Sequence, residues 1–269
     1  MTYDPQRAAA YYDELGEREW TRFEDGRTPA PSLDVHLAHL RRFVRAGDSV
    51  LDVGAGPGRF TIELARIGAD VVVADLSPRQ LELNRERVAA AGLEQRVTQR
   101  VIADVTELSR FGDASFDATV CFGGPLSYVV DRADNGVAEL VRVTRPGGHV
   151  LVSVMSTVGT VLHYLPILLD LVRRDGRAVN EQIIRSGLLP EGEDYGHLTM
   201  KLYRWSDLEQ LLSRHGTIVA ASAAGLLPTQ QVDEPELREF LSWLELELAG
   251  EPGALACGEH ILAVLRKDA

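Results

Sequence analysis

The stretch LDVGAGPGRF, Leu51 to Phe60, decides the fold. DSV running into LDV in front of it reads as a short buried strand, and RFTIELARI behind it places Phe60, Leu64 and Ile67 on one helical face. Gly54, Gly56 and Gly58 therefore occupy a strand-to-helix turn. Glycine lacks a Cβ and tolerates positive φ, and a helix start offers free N–H groups, so such a turn lets a ligand come up against backbone. A nicotinamide dinucleotide fingerprint, G-x-G-x-x-G, would need its third glycine where Arg59 stands; the third glycine comes one residue early. A dinucleotide oxidoreductase loses ground on that spacing.

Strands and helices alternate outward from the turn. Asp4-Pro5 opens a helix through Leu15, because aspartate caps and proline suits the first helical position. Ser32 is read as the cap of a second helix through Phe43. DVVVAD is the next strand, and SPRQLELNRERVAAAG is a helix capped by Ser77 and stopped by Gly92. VTQRVIAD, FDATVCF and GHVLVSVMS follow as strands, the last after the turn RPGG. Late in the chain come a capped helix in WSDLEQLLSRHG, a strand in GTIVAASAA, a helix in PELREFLSWLELELAG and a strand in EHILAVLRK. This order predicts an α/β fold with a mostly parallel sheet and helices on both faces.

A chain of 269 residues, 45% hydrophobic and 25% charged, has the length and composition of a soluble globular domain with a sizeable core. No apolar run reaches membrane-spanning length and the start lacks the features of a secretory signal, so the cytoplasm is expected and no membrane partner. Cys121 and Cys257 alone make neither a disulfide framework nor a metal cluster, and no metal is expected. A net charge of −12 argues against a nucleic-acid partner. Arg41, Arg42 and Arg45, at helical spacing among apolar residues, read as a solvated helix face. The sequence leaves the oligomeric state open.

The pattern D-x-G-x-G-x-G, Asp52-Gly54-Gly56-Gly58, resembles the first motif of the class I S-adenosylmethionine-dependent methyltransferases. The resemblance runs in order from about Val50 to Ser156. It implies a Rossmann-like seven-stranded sheet whose last two strands close one edge, with S-adenosylmethionine as cofactor and S-adenosylhomocysteine as product. Four regions are expected: an N-terminal helical cap (1–45), a cofactor-binding core (46–156), an insertion (157–200) and a C-terminal completion of the sheet (201–269). The insertion departs from tidy alternation with VLHYLPILLDLV and the loop LLPEGEDYGH, and it is read as a lid that completes an acceptor pocket at the carboxyl ends of the strands.

Asp75 ends the second strand about 20 residues past the turn, where an acidic side chain accepts both ribose hydroxyls; the alternative is a helix cap. By the resemblance, Asp104 or its neighbour's backbone takes the adenine amino group, although Asp104 equally suits a cap for the turn that follows. Asp52 holds the turn and the cofactor's ammonium end, or simply loop backbone. Ala55, Leu76, Val105, Phe122 and Gly123 complete the cofactor set, with Phe122 otherwise a core aromatic.

FGGPLSY, after the fourth strand, lacks the acidic or asparagine residue, two prolines and aromatic that mark methylation of nucleic-acid bases. It also lacks the acidic pair of aminopropyl transferases, so a small-molecule acceptor is favoured. YYDELGEREWTRFE resembles the opening helix of small-molecule methyltransferases. Tyr12 and Arg22 would bind the methionine carboxylate there, with Tyr11 and Trp20 toward the substrate; the alternative is an amphipathic surface helix.

A general base is needed only for a protonated acceptor. His197 in DYGHLTMKLYRW is the first candidate, then His163 and Tyr128, each also readable as packing. Tyr195 is pocket wall or loop anchor. His36, His39, His149, His215 and His260 read as structural or exposed. The expected activity is methyl transfer to nitrogen or oxygen of a small metabolite by in-line displacement. The alternative is a non-catalytic sensor or scaffold that binds the same cofactor.

Overall fold

In a computed structural model, which describes residues 2–21, 30–192, 197–227 and 234–268, the glycine turn joins β1 (Ser49–Val53) to α4 (Arg59–Ile67). Ahead of it lie α1 (Pro5–Leu15), the single turn α2 (Arg18–Thr21) and α3 (Ala30–Phe43). β2 (Asp70–Asp75), α5 (Pro78–Ala90), β3 (Val97–Ile102) and β4 (Phe116–Cys121) continue the alternation. α6 (Pro125–Tyr128) and α7 (Ala133–Val143) then lead into β5 (Thr144–Met155). The insertion forms α8 (Thr157–His163), α9 (Leu165–Asp175), α10 (Arg177–Ser186) and a small ladder of β6 (Leu188–Leu189) with β7 (Met200–Lys201). α11 (Trp205–Leu212), β8 (Thr217–Ala224), α12 (Pro235–Ala249) and β9 (His260–Arg266) end the chain.

The seven-stranded sheet has the order β3-β2-β1-β4-β5-β9-β8. β3, β2, β1, β4 and β5 are parallel, whereas β9 runs antiparallel between β5 and β8. The order reverses between β1 and β4, and the crevice outside the strand ends at such a point is where open α/β sheets take their ligands. This is the expected Rossmann-like methyltransferase sheet.

Strand side chains alternate between two cores. Val50, Val71, Val73 and Val120 pack with Leu40 of α3 and Leu64 of α4 on one face. Leu51, Val53, Val150 and Val152 pack with Leu126 of α6, Val137 and Leu140 of α7 and Leu208 of α11 on the other. Leu40, Leu64, Leu126 and Leu140 are fully buried, each worth roughly 1.5–3 kcal/mol against exposure.

Four local readings change. α3 starts at Ala30, so Ser32 lies inside its first turn, buried, rather than capping it. α11 has Arg204 in the cap position and no side-chain cap bond. β3 ends at Ile102, and the Ala103 N–H donates to Asp75 O at 3.1 Å. Residues 133–143, unassigned from sequence, form α7, whose Gly136 is a close approach and no breaker: a Cβ there would stand 2.9 Å from Leu126 Cδ2.

Candidate active site

The turn after β1 is held open by geometry that only glycine meets cheaply. Gly54 has φ +66°, its N–H donates to Ala74 O at 2.8 Å, and a Cβ on it would lie 2.4 Å from Pro125 Cγ. Gly58, at φ +100°, is the N-cap of α4, and a Cβ there would press on Asn84. Above the turn lies an open cleft of ≈ 920 Å³, counting its mouth. Its lining includes Val53, Gly54, Ala55 and Gly56 from the turn, Asp75 and Leu76 from the end of β2, and Ala103 and Val105 after β3. Phe122, Gly123, Pro125 and Tyr128 line it beyond β4.

Asp75 is pinned rather than free to swing: Oδ2 accepts from Gly56 N at 2.8 Å and Oδ1 from Ser77 N at 2.9 Å. Burial pushes its carboxyl up to about 6 against those two N–H bonds, with the nearby Asp13 charge adding to the rise. Ser77 caps α5 as expected, its Oγ accepting from Gln80 N at 3.0 Å, so the cap position does not consume Asp75.

Asp52 does not line the cleft. It is buried beneath the turn, where Oδ2 accepts from Thr61 Oγ1 at 2.6 Å, and burial pushes its carboxyl up to about 7. Thr61 in turn accepts from Asn84 Nδ2 at 2.9 Å, and Asn84 Oδ1 accepts from Arg100 Nε at 2.9 Å. Arg100 is held by both oxygens of Glu94. Asp52 and Gly58 thus act on the turn from below, and nothing in the motif spacing distinguishes that from direct ligand contact.

Asp104 is also off the cleft wall. Its Oδ1 accepts from Thr106 N at 2.8 Å and Thr106 Oγ1 at 2.9 Å, the turn cap that was the alternative reading, and its Oδ2 accepts from Tyr3 OH at 3.0 Å. Ala103 and Val105 on either side face the cleft instead.

The N-terminal segment supplies the cover. Tyr3, Ala8, Tyr12 and Glu19 line the cleft, whereas no described residue of 157–200 does. α1 is strapped to α5: Asp13 Oδ1 accepts from Ser77 Oγ at 2.5 Å and Arg79 N at 3.1 Å, and Gln80 Nε2 donates to Tyr12 O at 2.9 Å. The Tyr12 ring meets Tyr128 edge-on at 5.9 Å.

Tyr11 packs against Tyr12 and is not on the wall. Trp20 is not there either: the guanidinium groups of Arg59 and Arg87 stand over its ring at 4.1 and 4.2 Å, and Arg59 Nη2 donates to Trp20 O at 3.0 Å. Arg22 and Tyr195 lie outside the described residues.

His163 ends α8, half-buried, and His197 is exposed where it bridges Gly192; neither lines the cleft. Of the three candidate bases, Tyr128 does line it. Sequence reading missed Tyr3, Glu19, Arg59, Phe60 and Gln80 on the wall. Arg59 carried a signal, since it directly follows the third glycine at the start of α4. Tyr3 and Glu19 carried none, because they reach the site through the packing of α1. Among the described residues there is no cluster of metal-ligating side chains, and no helix is long and apolar enough to cross a membrane.

Residues 50–148 match the family model of a methyltransferase domain. A demethylmenaquinone methyltransferase of Mycobacterium marinum (strain ATCC BAA-535 / M) is 38% identical over 177 residues, 63% of this chain and 67% of that protein. One from Clavibacter sepedonicus is 37% identical over 173 residues, 62% of this chain, and the match spans only 63% of that relative's length. Among solved structures, the CcbJ methyltransferase from Streptomyces caelestis superposes with a TM-score of 0.65 at 15% identity, covering 99% of this chain and 100% of that one.

Proposed function

The chain belongs to the class I S-adenosylmethionine-dependent methyltransferases, and from that premise we propose that it transfers a methyl group to nitrogen or oxygen of a small-molecule acceptor. The observation that carries this is Asp75: a buried carboxylate at the end of β2, one strand from the glycine turn and hydrogen-bonded to that turn's own Gly56 N–H. The cleft fits the cofactor in kind. Gly54 keeps backbone where a side chain would collide, and Gln80, on the wall, has its Oε1 buried without a partner.

When bound, S-adenosylmethionine supplies a methyl group already activated by the positive sulfonium. Asp75 would accept the ribose hydroxyls, and the Val105 N–H with Ala103 would meet the adenine edge. Arg59 and Glu19, of opposite charge beside Gly56, would take the carboxylate and ammonium of the amino-acid end. Tyr12, Tyr128 and Phe122 wall off water, and Gly123 and Gly124 let the acceptor close up to the reacting carbon. Alignment and exclusion of water then supply most of the acceleration.

The relatives named demethylmenaquinone methyltransferase support a small organic acceptor, and the acidic chain supports one that is not nucleic acid. Incubation with S-adenosylmethionine and a panel of phenols, quinols and amines should release S-adenosylhomocysteine with at least one member. Tight nucleoside binding with no release across the panel would favour the sensor reading.

A further inference from the structure

A second cavity opens at the other end of the sheet, by the amino ends of β1 and β4, whereas the cofactor cleft lies at the carboxyl ends. It measures ≈ 560 Å³, counting its mouth, and Arg42, Arg45, Asp48, Asp117, Arg145 and His149 are its charged and titratable lining. Asp48 directly precedes β1, and His149 of β5 pairs in register with Ala118, one residue past Asp117 in β4. Of the three arginines that read from sequence as one solvated face, Arg42 and Arg45 line this cavity and Arg41 does not.

The positive groups arrive from separate elements. Arg42 belongs to α3 and Arg45 follows its end, while Arg145 is the second residue of β5. Arg266, at the end of β9, pairs in register with His149. Lys267 is tied alongside, its Nζ donating to Thr144 O at 2.8 Å and its carbonyl accepting from Gly147 N at 2.9 Å.

The two carboxylates are already engaged. Asp117 Oδ2 accepts from Ser49 N at 2.8 Å, and Oδ1 pairs with Arg145 Nε at 2.7 Å. Asp48 Oδ2 accepts from Arg45 N at 2.8 Å. Arg42, Arg45 and Arg266, by contrast, form no ion pair among the described residues, and the Arg42 guanidinium stands over the Phe43 ring at 5.0 Å. In a chain of net charge −12, guanidinium groups scattered over the surface would need no explanation; these converge on one concavity, where their fields add. His149 senses that field. Burial lowers its pKa, Arg266, Arg45 and Arg145 lower it further, and Asp48 alone among its charged neighbours opposes them.

We propose that this cavity binds a phosphorylated ligand, a diphosphate or a phosphate ester, whose oxygens Arg42, Arg45 and Arg145 share at the end of the sheet remote from the cofactor cleft. The planar guanidinium fork matches phosphate oxygens, and several forks around one concavity suit a multiply charged anion better than a single carboxylate.

The test follows the titration of the His149 C2–H resonance in the full chain, assigned by its loss in His149→Gln, with sodium pyrophosphate, phenyl phosphate or sodium acetate at matched ionic strength. A phosphate probe should bind saturably, with a Kd of about 1 mM or tighter, and raise the His149 midpoint, while acetate leaves it in place. Whichever of pyrophosphate and phenyl phosphate binds more tightly identifies the diphosphate or the ester as the form recognised. Arg45→Gln, at an exposed side chain, should weaken that probe about tenfold and leave the heat of S-adenosylhomocysteine binding unchanged. Arg41→Gln, one residue from Arg42 and off the cavity, should alter neither. No saturable binding of either phosphate probe, an equal response to acetate, or an equal loss in Arg41→Gln and Arg45→Gln overturns the inference.

Discussion

On the β1–β2–β3 side of the cleft the polar groups are tied into one scaffold, Asp52 to Thr61 to Asn84 to Arg100 to Glu94, with Asp75 held by Gly56 and Ser77. Beyond β4 and β5 the finish is different. Leu162, Leu165, Ile167, Leu169 and Val179 of α8–α10 are exposed, and Thr157 Oγ1, Thr160 Oγ1, Asn180 Oδ1 and Glu259 Oε2 are buried without partners. The cofactor side is fixed by its own hydrogen bonds apart from Gln80 Oε1 and Arg87 Nε, buried there without partners, whereas the insertion carries exposed apolar side chains on three successive helices.

The largest effect that would sharpen this contrast comes from Gly54→Val. The left-handed backbone strain and the collision with Pro125 together cost roughly 2–6 kcal/mol, so S-adenosylhomocysteine affinity measured by calorimetry should fall about thirtyfold or more. Asp75→Ala comes next. It removes one or two charge-assisted bonds of about 1.5–3 kcal/mol each, a loss of tenfold or more in the same titration.

Thr61→Val strips Asp52 of its one side-chain donor and should cost about 1–3 kcal/mol, a fall of several degrees in Tm. Ile167→Ser, on the insertion, should stay within about 0.5 kcal/mol of the parent in urea unfolding, because the side chain is already half exposed. A large loss there would break the contrast, since it would mean the insertion is finished like the cofactor side.

The sequence made the cofactor side legible because its features are local. Glycine spacing, Ser77 as cap and Asp75 at a strand end are all set within a few residues of the turn. Tyr3 and Glu19 reach the wall only through the docking of α1 on α5, and Asp104 is turned to Tyr3 and Thr106 by contacts that no spacing encodes. The histidines illustrate the same limit. His163 and His197 stand in the segment that looked like a lid, yet neither lines the cleft, whereas His36, read as structural or exposed, packs behind its Phe122 wall.

Buried acids give the fold an unusual pH signature. Asp52 and Asp75 hold protons up to about 7 and 6, above the unfolded value near 4, so the native state binds more protons between about pH 4 and 7. Their contribution to stability is present at low pH and is lost as pH rises through that window. Asp52→Asn should flatten the corresponding slope of urea midpoint against pH.

Whether the Asp75 carboxylate grips the sugar of the cofactor is read by calorimetric titration of S-adenosylhomocysteine from pH 5 to 8. Affinity of the parent protein should rise up to about tenfold as Asp75 ionises near pH 6, and Asp75→Asn should be roughly tenfold weaker at pH 7, the two curves converging toward pH 5. Equal affinities for the two proteins across the whole range would contradict the account.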